Sequence, residues 1–363
     1  MINRLILKNF KCFSDIELEF SGVNVLTGLN GMGKSTVMQS ILLIAQSQKS
    51  IMSEQILLLK GKYVNLGTGQ DVLYEKAEKD EISILVQMDQ YKESFKVGYQ
   101  SEMDVLPLEE LNFDKNKIFF EEKMDALFYL SAYRIEPQFL YQIENEKDLE
   151  KRYFGKSGEY AIQYLKLHGG DEVENRRIII GNKTTIFDQV KAWLDMVSPG
   201  VSPVININVS SRTAELQYEY IEDREKTNSY KSVNVGFGIT YVLPVIVQLI
   251  AARPGDIILL ENPEAHIHPR GQRMLGELMA AVGAGGVQII METHSDHILN
   301  GIRVAVKKGK VSPEETKVFY FYKDIEDEYR HKVMCPMLDR NGRFNEWPVG
   351  FFDEWDNALL ELL

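Results

Sequence analysis

The chain has 363 residues, 44% of them hydrophobic and 26% charged, a profile that provides for a large core and excludes a disordered or fibrous chain. With 53 Asp and Glu against 41 Lys and Arg, its formal charge is −12, so the surface as a whole does not attract polyanions and nucleic acid would need a local basic patch. Cys12 and Cys335 alone exclude a disulfide framework and suit a reducing cytoplasm, the longest apolar run (241–252) is too short to span a bilayer and contains Pro244, and the N-terminal residues carry no signal-peptide pattern.

In chain order, β-type runs at 2–8, 16–20 and 23–27, parted by Ser14-Asp15 and Ser21-Gly22, predict a small meander feeding one buried strand. A Gly-rich loop follows, then MQSILLIAQ, where Met38, Ile41, Leu42 and Ala45 repeat at helical spacing. Between residues 50 and 230 the signals are mixed: strands at 82–88, 95–99, 127–132, 204–209 and 214–220, and helices at 160–167 and 186–196. The last two strands read as a hairpin across Ser210-Ser211-Arg212-Thr213. No heptad run, internal repeat or low-complexity tract interrupts this order.

Beyond residue 236 the pattern is regular, with helix 238–252, strand 256–260, helix 270–282, strand 287–291, helix 296–307 and strand 317–322. Such alternation predicts a parallel sheet covered on both faces. The expected fold class is α/β, a mixed or parallel sheet core flanked by helices, with an N-terminal antiparallel sheet and a mixed α+β insertion. Four segments are expected: an N-terminal lobe at 1–99, an insertion or lid at 100–230, a C-terminal lobe at 231–325 and a tail at 326–363.

The loop Gly28-Leu29-Asn30-Gly31-Met32-Gly33-Lys34-Ser35 fits the P-loop pattern, and Thr36 follows. Its glycines let backbone N–H groups turn inward around phosphates, the next helix aims its positive end at them, and Lys34 supplies a point charge. ATP and Mg2+ are therefore the expected ligands, with Asn30, Gly31, Met32, Gly33, Lys34, Ser35 and Thr36 as the cradle and Ser35 on the metal. A Gly-rich turn with a chance lysine is the bland alternative, disfavoured by the strand before it and the helix after it.

A P-loop protein also needs an acid at a neighbouring strand tip for the magnesium, and the apolar run 257–260 delivers Glu261. The strand at 287–291 leads into Glu292-Thr293-His294-Ser295, where His294 is in position to hydrogen-bond a γ-phosphate, although a lone histidine is more often structural. Gln70 in GTGQDV reads equally as a magnesium-sensing glutamine or a polar turn. His266 and His268, like His294 and His297, lack the cysteine or third-ligand cluster that a transition-metal site needs. Arg134 in SAYRIEP reaches nucleotide or DNA, or pairs with a carboxylate, while Trp347, Phe351, Phe352 and Trp355 serve core packing or partner docking.

Taken together, FKCF, GLNGMGKST, LLENPEAHIHP and ETHSDHIL make the chain resemble the ABC-type ATPase heads of the SMC, RecF and OLD group, specifically the prokaryotic AAA-like ATPases with a C-terminal domain of unknown function. SAYRIEP, GKSGEYAIQYL, NVGFGITYVLP and EWPVGFFDEW extend the likeness over most of the chain. The resemblance implies a homodimer closing on two ATP molecules, each held by one subunit's P-loop and capped by the other's signature segment, SVNVGFG, through Ser232, Asn234 and Gly236. That segment departs from the usual ABC signature. It further implies an ATPase switch, read by a separately encoded effector protein or by DNA, in antiphage defence or DNA repair.

Aligned on the family's Asp-Glu-Pro-Glu, LLENPE puts Glu261 at the magnesium acid and Asn262 where the general base stands. Asn takes no proton from water at neutral pH, so slow hydrolysis through Glu264 or a positioned water relay is expected. Two alternatives remain: a nucleotide-binding scaffold that never hydrolyses, and an OLD-like nuclease. The nuclease is disfavoured because about seventy residues follow the ETHS strand and they hold no E…DxD constellation.

Overall fold

Alternating burial organises the first sheet. In β1 (Ile2–Phe10) the side chains of Ile2, Leu5, Leu7 and Phe10 are buried, and β2 (Phe13–Glu19) pairs with it antiparallel so that Leu5 faces Leu18 and Leu7 faces Ile16. The next strand, β3 (Val23–Gly28), is buried on both faces and belongs to a different sheet, so the first three strands are not one meander. Helix α1 (Lys34–Glu54) follows the Gly-rich loop and ends at Gln55, held at φ 56°. After β4 (Ile56–Leu58) and the one-turn α2 (Gly69–Val72), strands β5 (Glu81–Met88), β6 (Tyr91–Gly98) and β7 (Val105–Leu111) complete an antiparallel sheet ordered β2-β1-β5-β6-β7-β4. Helix α3 (Lys117–Asp125) comes next. In β5 the buried set Ile82, Ile84, Val86 and Met88 repeats every second residue, as a sheet with one covered face requires.

The computed structural model describes residues 1–111, 117–144, 152–222, 225–324, 326–348 and 350–362. They form two units, one of 1–127 with 316–339 and 344–363, the other of 128–315 with 340–343. The four segments expected from sequence divide the chain elsewhere, at 99, 230 and 325, because the strand at 316 returns to the first unit.

In the second unit, β8 (Leu127–Leu130), β9 (Tyr141–Gln142), α4 (Ala161–His168), α5 (Ile186–Val197), β10 (Val201–Asn208), β11 (Thr213–Glu222), β12 (Glu225–Lys226) and β13 (Tyr230–Lys231) make a mixed α+β stretch. The predicted hairpin is β10–β11, paired from Val201↔Tyr220 to Asn208↔Thr213. Regular alternation then begins: α6 (Phe237–Ile250), β14 (Ile257–Glu261), α7 (Pro269–Ala284), β15 (Gln288–Glu292) and α8 (Asp296–Lys307). β14 and β15 are parallel, β8 lies on the other side of β14, and Glu261 registers with Glu292. Helices α7 and α8 cross at glycines: a Cβ on Gly276 would sit 2.3 Å from the Ile298 carbonyl oxygen.

Back in the first unit, β16 (Thr316–Asp324) runs parallel to β3, with Phe321 opposite Gly28, and β17 (Arg330–Met334) folds antiparallel onto β16. Helix α9 (Glu354–Leu362) closes the chain. The aromatic tail packs on itself: Phe351 is buried among Tyr320, Phe344, Trp347 and Phe352, and the side chain of Trp355 lies outside the described residues. The architecture is the α/β head arrangement that the sequence implied.

Candidate nucleotide-binding site

The P-loop residues and Gln70 belong to the first unit; Glu261, Glu264, His294 and the signature segment belong to the second. Each set is built by its own surroundings.

Strand β3 is buried from Val23 through Thr27 and ends at Gly28, whose φ of +133° and contact with β16 admit no side chain: a Cβ there would lie 2.3 Å from the Phe321 carbonyl oxygen. Gly31 (φ +77°) and Gly33 (φ +102°) also take left-handed backbone, and a Cβ on Gly33 would meet the Phe13 ring at 2.4 Å and Cys12 Sγ at 2.8 Å. The spaced glycines thus let the loop curl and let the FKCF turn close against it. Gly33 is the N-cap of α1, so the helix's positive end opens at the loop. The Lys34 ammonium donates to the Gly28 and Leu29 carbonyls, 2.9 Å each, which holds the buried cation over the loop. Thr36 Oγ1 accepts a long bond from the Cys12 thiol, 3.6 Å, and burial raises the pKa of that thiol. These features fit a polyphosphate with its metal: converging backbone dipoles, one fixed ammonium, and the hydroxyl-bearing Ser35 at the helix start.

Gln70 sits exposed in α2, where its N–H donates to the Ser101 carbonyl, 3.0 Å, and Thr68 with Asp71 forms a capping box. That helix is fastened to the FKCF turn by Lys11 N–H donating to the Val72 carbonyl, 2.7 Å.

In the second unit, parallel pairing places Glu261 and Glu292 side by side at the tips of β14 and β15. Glu261 Oε2 accepts from the Ala132 N–H at 3.1 Å and also engages the Tyr129 phenol, whose pKa is raised by burial and by the Glu261 carboxylate. Arg134 is buried and, among the described residues, makes no ion pair, although the Glu264 and Glu261 carboxylates lie near enough to act on its charge. Its guanidinium donates to the carbonyls of Ser131 (3.1 Å), Glu261 (2.9 Å) and Asn262 (2.5 Å) and lies 4.5 Å from the Tyr241 ring centroid. Both sequence readings of Arg134 therefore give way to a brace under the LLEN turn. Asn262 has φ +42°, left-handed backbone that Asn tolerates better than other side chains, and its N–H donates to the Glu292 carbonyl, 2.9 Å.

Glu264 Oε1 accepts from the His294 N–H at 2.9 Å, tying the two strand-end loops together, while Oε2 is buried with no hydrogen-bond partner among the described residues. Burial raises the pKa of this carboxyl, against the opposing effects of the His294 N–H, its own N–H, the Thr293 hydroxyl and the nearby Arg134. A desolvated carboxylate with one uncommitted oxygen is a stronger proton acceptor than a surface one. The imidazole of His294 is exposed.

Among the signature residues, Asn234 and Gly236 are exposed, but Ser232 is buried: its hydroxyl donates to the Gln138 carbonyl, 2.8 Å, and accepts from the Tyr141 phenol, 3.2 Å. A hydroxyl so committed holds the segment rather than facing a ligand. Gly238 is required by the HIH loop, since a Cβ would lie 2.1 Å from the His266 carbonyl oxygen. His266 packs edge-on against Phe237 and Tyr241, and His268 caps α7 by accepting from the Arg270 N–H at 3.3 Å.

Residues 23–300 match the family model described as "AAA domain, putative AbiEii toxin, Type IV TA system", over half of the chain. The chain belongs to this family, the AAA ATPases of the SMC, RecF and OLD type. Residues 311–362 match a second model, a protein of unknown function (DUF3696). The OLD nuclease of Thermus scotoductus is 22% identical, the match covering 95% of this chain and 68% of that protein. An Smc head bound to the C-winged helix domain of ScpA shares the fold at TM-score 0.56 and 13% identity, covering 93% of this chain and 98% of that one. A second Smc head, with an extended coiled coil and bound to the C-terminal domain of ScpA derived from Pyrococcus furiosus, matches at TM-score 0.52 and 12% identity over 99% of each chain. This member is thus a nucleotide-binding ATPase by family, and among its described residues no helix is long and apolar enough to cross a membrane.

Sequence reasoning passed over Glu292 and Tyr129 beside Glu261, and His331 beside the P-loop. Glu292 was legible as the first residue of ETHS at a strand tip; the other two carry no local signal.

Proposed function

We propose that this ATPase is a nucleotide-driven switch that hydrolyses ATP slowly. The observation carrying this reading is the P-loop itself, with left-handed glycines at 28, 31 and 33 and Lys34 fixed over them by two carbonyls. In the proposal Asn30 to Thr36 cradle the phosphates, Ser35 and Glu261 hold the magnesium, Gln70 senses it, and His294 bonds the γ-phosphate. Bound magnesium supplies neutralisation of the charge developing on the transferred phosphoryl group. Glu264 takes the proton of the attacking water through its uncommitted oxygen, in place of the base absent at Asn262.

Two subunits close on two nucleotides, with Asn234 and Gly236 facing the partner's ATP and Ser232 supporting them from behind. The family description, which names a toxin of a type IV toxin–antitoxin system, favours defence with a separately encoded effector over DNA repair. DNA, as the alternative reader in the cytoplasm, should bind weakly and with steep salt dependence to a chain of charge −12.

Calorimetry with MgATP tests the core of the reading. Lys34→Ala should abolish binding, and undiminished affinity in that variant would refute it. A second reading, the scaffold that never hydrolyses, is favoured by Asn262 and its left-handed backbone. Phosphate release by purified protein separates the two. Nuclease activity rests on the relative's name alone, and a plasmid-cleavage assay tests it.

A further inference from the structure

The segment matched by the model of unknown function, 311–362, reaches the P-loop. His331, on β17, places Nε2 3.2 Å from the Gly31 carbonyl oxygen, a hydrogen bond between residues 300 positions apart. The Cys12 carbonyl lies beside the same ring, and the ring stands edge-on to Phe13, with centroids 6.1 Å apart and planes at 79°. Phe13 in turn fills the space in front of Gly33. The imidazole is thus fixed in orientation by a packed ring and aimed at one loop carbonyl. A carbonyl oxygen only accepts, so the bond to Gly31 requires the proton on Nε2; burial lowers the pKa of the ring, against the opposing effect of the Gly31 and Cys12 carbonyls.

That carbonyl matters because a trans peptide is planar: the C=O of Gly31 and the N–H of Met32 point in opposite directions. A P-loop binds phosphate with N–H groups turned inward, so the Gly31 carbonyl must point outward. Gly31 itself does not enforce this. It is a glycine at φ +77°, and with no Cβ its own sterics leave other orientations of the following peptide open.

We propose that His331 is a positioning residue for nucleotide binding: by holding the Gly31 carbonyl outward it presents the Met32 N–H to the phosphates. The C-terminal segment is then a working part of the nucleotide site, and its β16–β17 hairpin supplies two supports, the Phe321 backbone against Gly28 and His331 on Gly31. The proposal rests on the reading of the loop as an ATP site.

The test is MgATP affinity of the full chain by calorimetry, with melting temperature measured alongside, for the unsubstituted protein, Lys34→Ala, His331→Gln, His331→Met and His331→Phe. Gln places an amide donor near the position of Nε2; Met matches Gln in shape without a donor; Phe keeps the ring against Phe13. The expected result is affinity within about twofold of the parent for Gln and a loss of roughly three- to tenfold for both Met and Phe, the size of one neutral hydrogen bond, with melting unchanged. Equal affinity across Gln, Met and Phe, while Lys34→Ala abolishes binding, overturns the proposal and leaves the ATP reading standing. So does a loss that tracks earlier melting and is not restored by Gln. Undiminished binding by Lys34→Ala overturns the ATP reading itself.

Discussion

Replacing Glu264 by Gln separates catalysis from architecture at a single carboxyl. Gln retains an oxygen to accept the His294 N–H, the 2.9 Å bond that joins the two strand-end loops, so the site keeps its shape. What it removes is the oxygen that is buried with no hydrogen-bond partner among the described residues, the atom available to take a proton. A positioned base contributes roughly 10²–10⁴ in rate, equivalent to about 2.7–5.4 kcal/mol of barrier. Single-turnover ATP hydrolysis should therefore slow by that factor while MgATP affinity is unchanged.

Stability supplies an independent check through the sign of the pKa shift. Burial raises the folded-state pKa of Glu264 above its unfolded value, so the native state binds the proton more tightly. Stability from this group is accordingly present at low pH and lost as pH rises from the unfolded pKa through the folded one. Glu264→Gln should abolish that component and flatten the fall in melting temperature across that window. A variant that hydrolyses at the parental rate refutes the base assignment, and one whose melting profile keeps the parental slope refutes the burial argument beneath it.

Glu261→Gln should weaken magnesium-dependent ATP binding as well as turnover, since it strips charge from the metal side while leaving an acceptor for the Ala132 N–H; titrations with and without magnesium separate the two effects. Asn262→Gly should leave stability within about 0.5 kcal/mol, whereas Asn262→Glu should lower it by roughly 1 kcal/mol because the backbone is left-handed at φ +42°, measured by urea unfolding. Faster single-turnover hydrolysis in Asn262→Glu would identify this residue as the damper. A non-hydrolysable ATP analogue should convert monomer to dimer in sedimentation, and a monomer whatever the nucleotide would count against the shared site. DNA affinity, titrated at two salt concentrations, should fall steeply with salt; no binding at low salt with ATP would point to a protein partner.

What the sequence determined by itself is what local spacing can encode. Nine consecutive residues, Gly28 to Thr36, contain the left-handed glycines and the lysine of the phosphate cradle, and the apolar run into Glu261 announces a strand tip. Alternation after residue 236 likewise fixed the βα order, because period and length distinguish a buried strand from an amphipathic helix. Periodicity reports that a face is covered but not by what. Only the tertiary structure turned Arg134 from a ligand-seeking cation into a brace on three carbonyls, buried the hydroxyl of Ser232, and gave Asn262 a backbone reason to be Asn. The same limit hid His331, whose partner is a main-chain carbonyl 300 residues away. A backbone acceptor has no residue identity, so no motif can record such a bond, and only folding brings its two ends within hydrogen-bond distance.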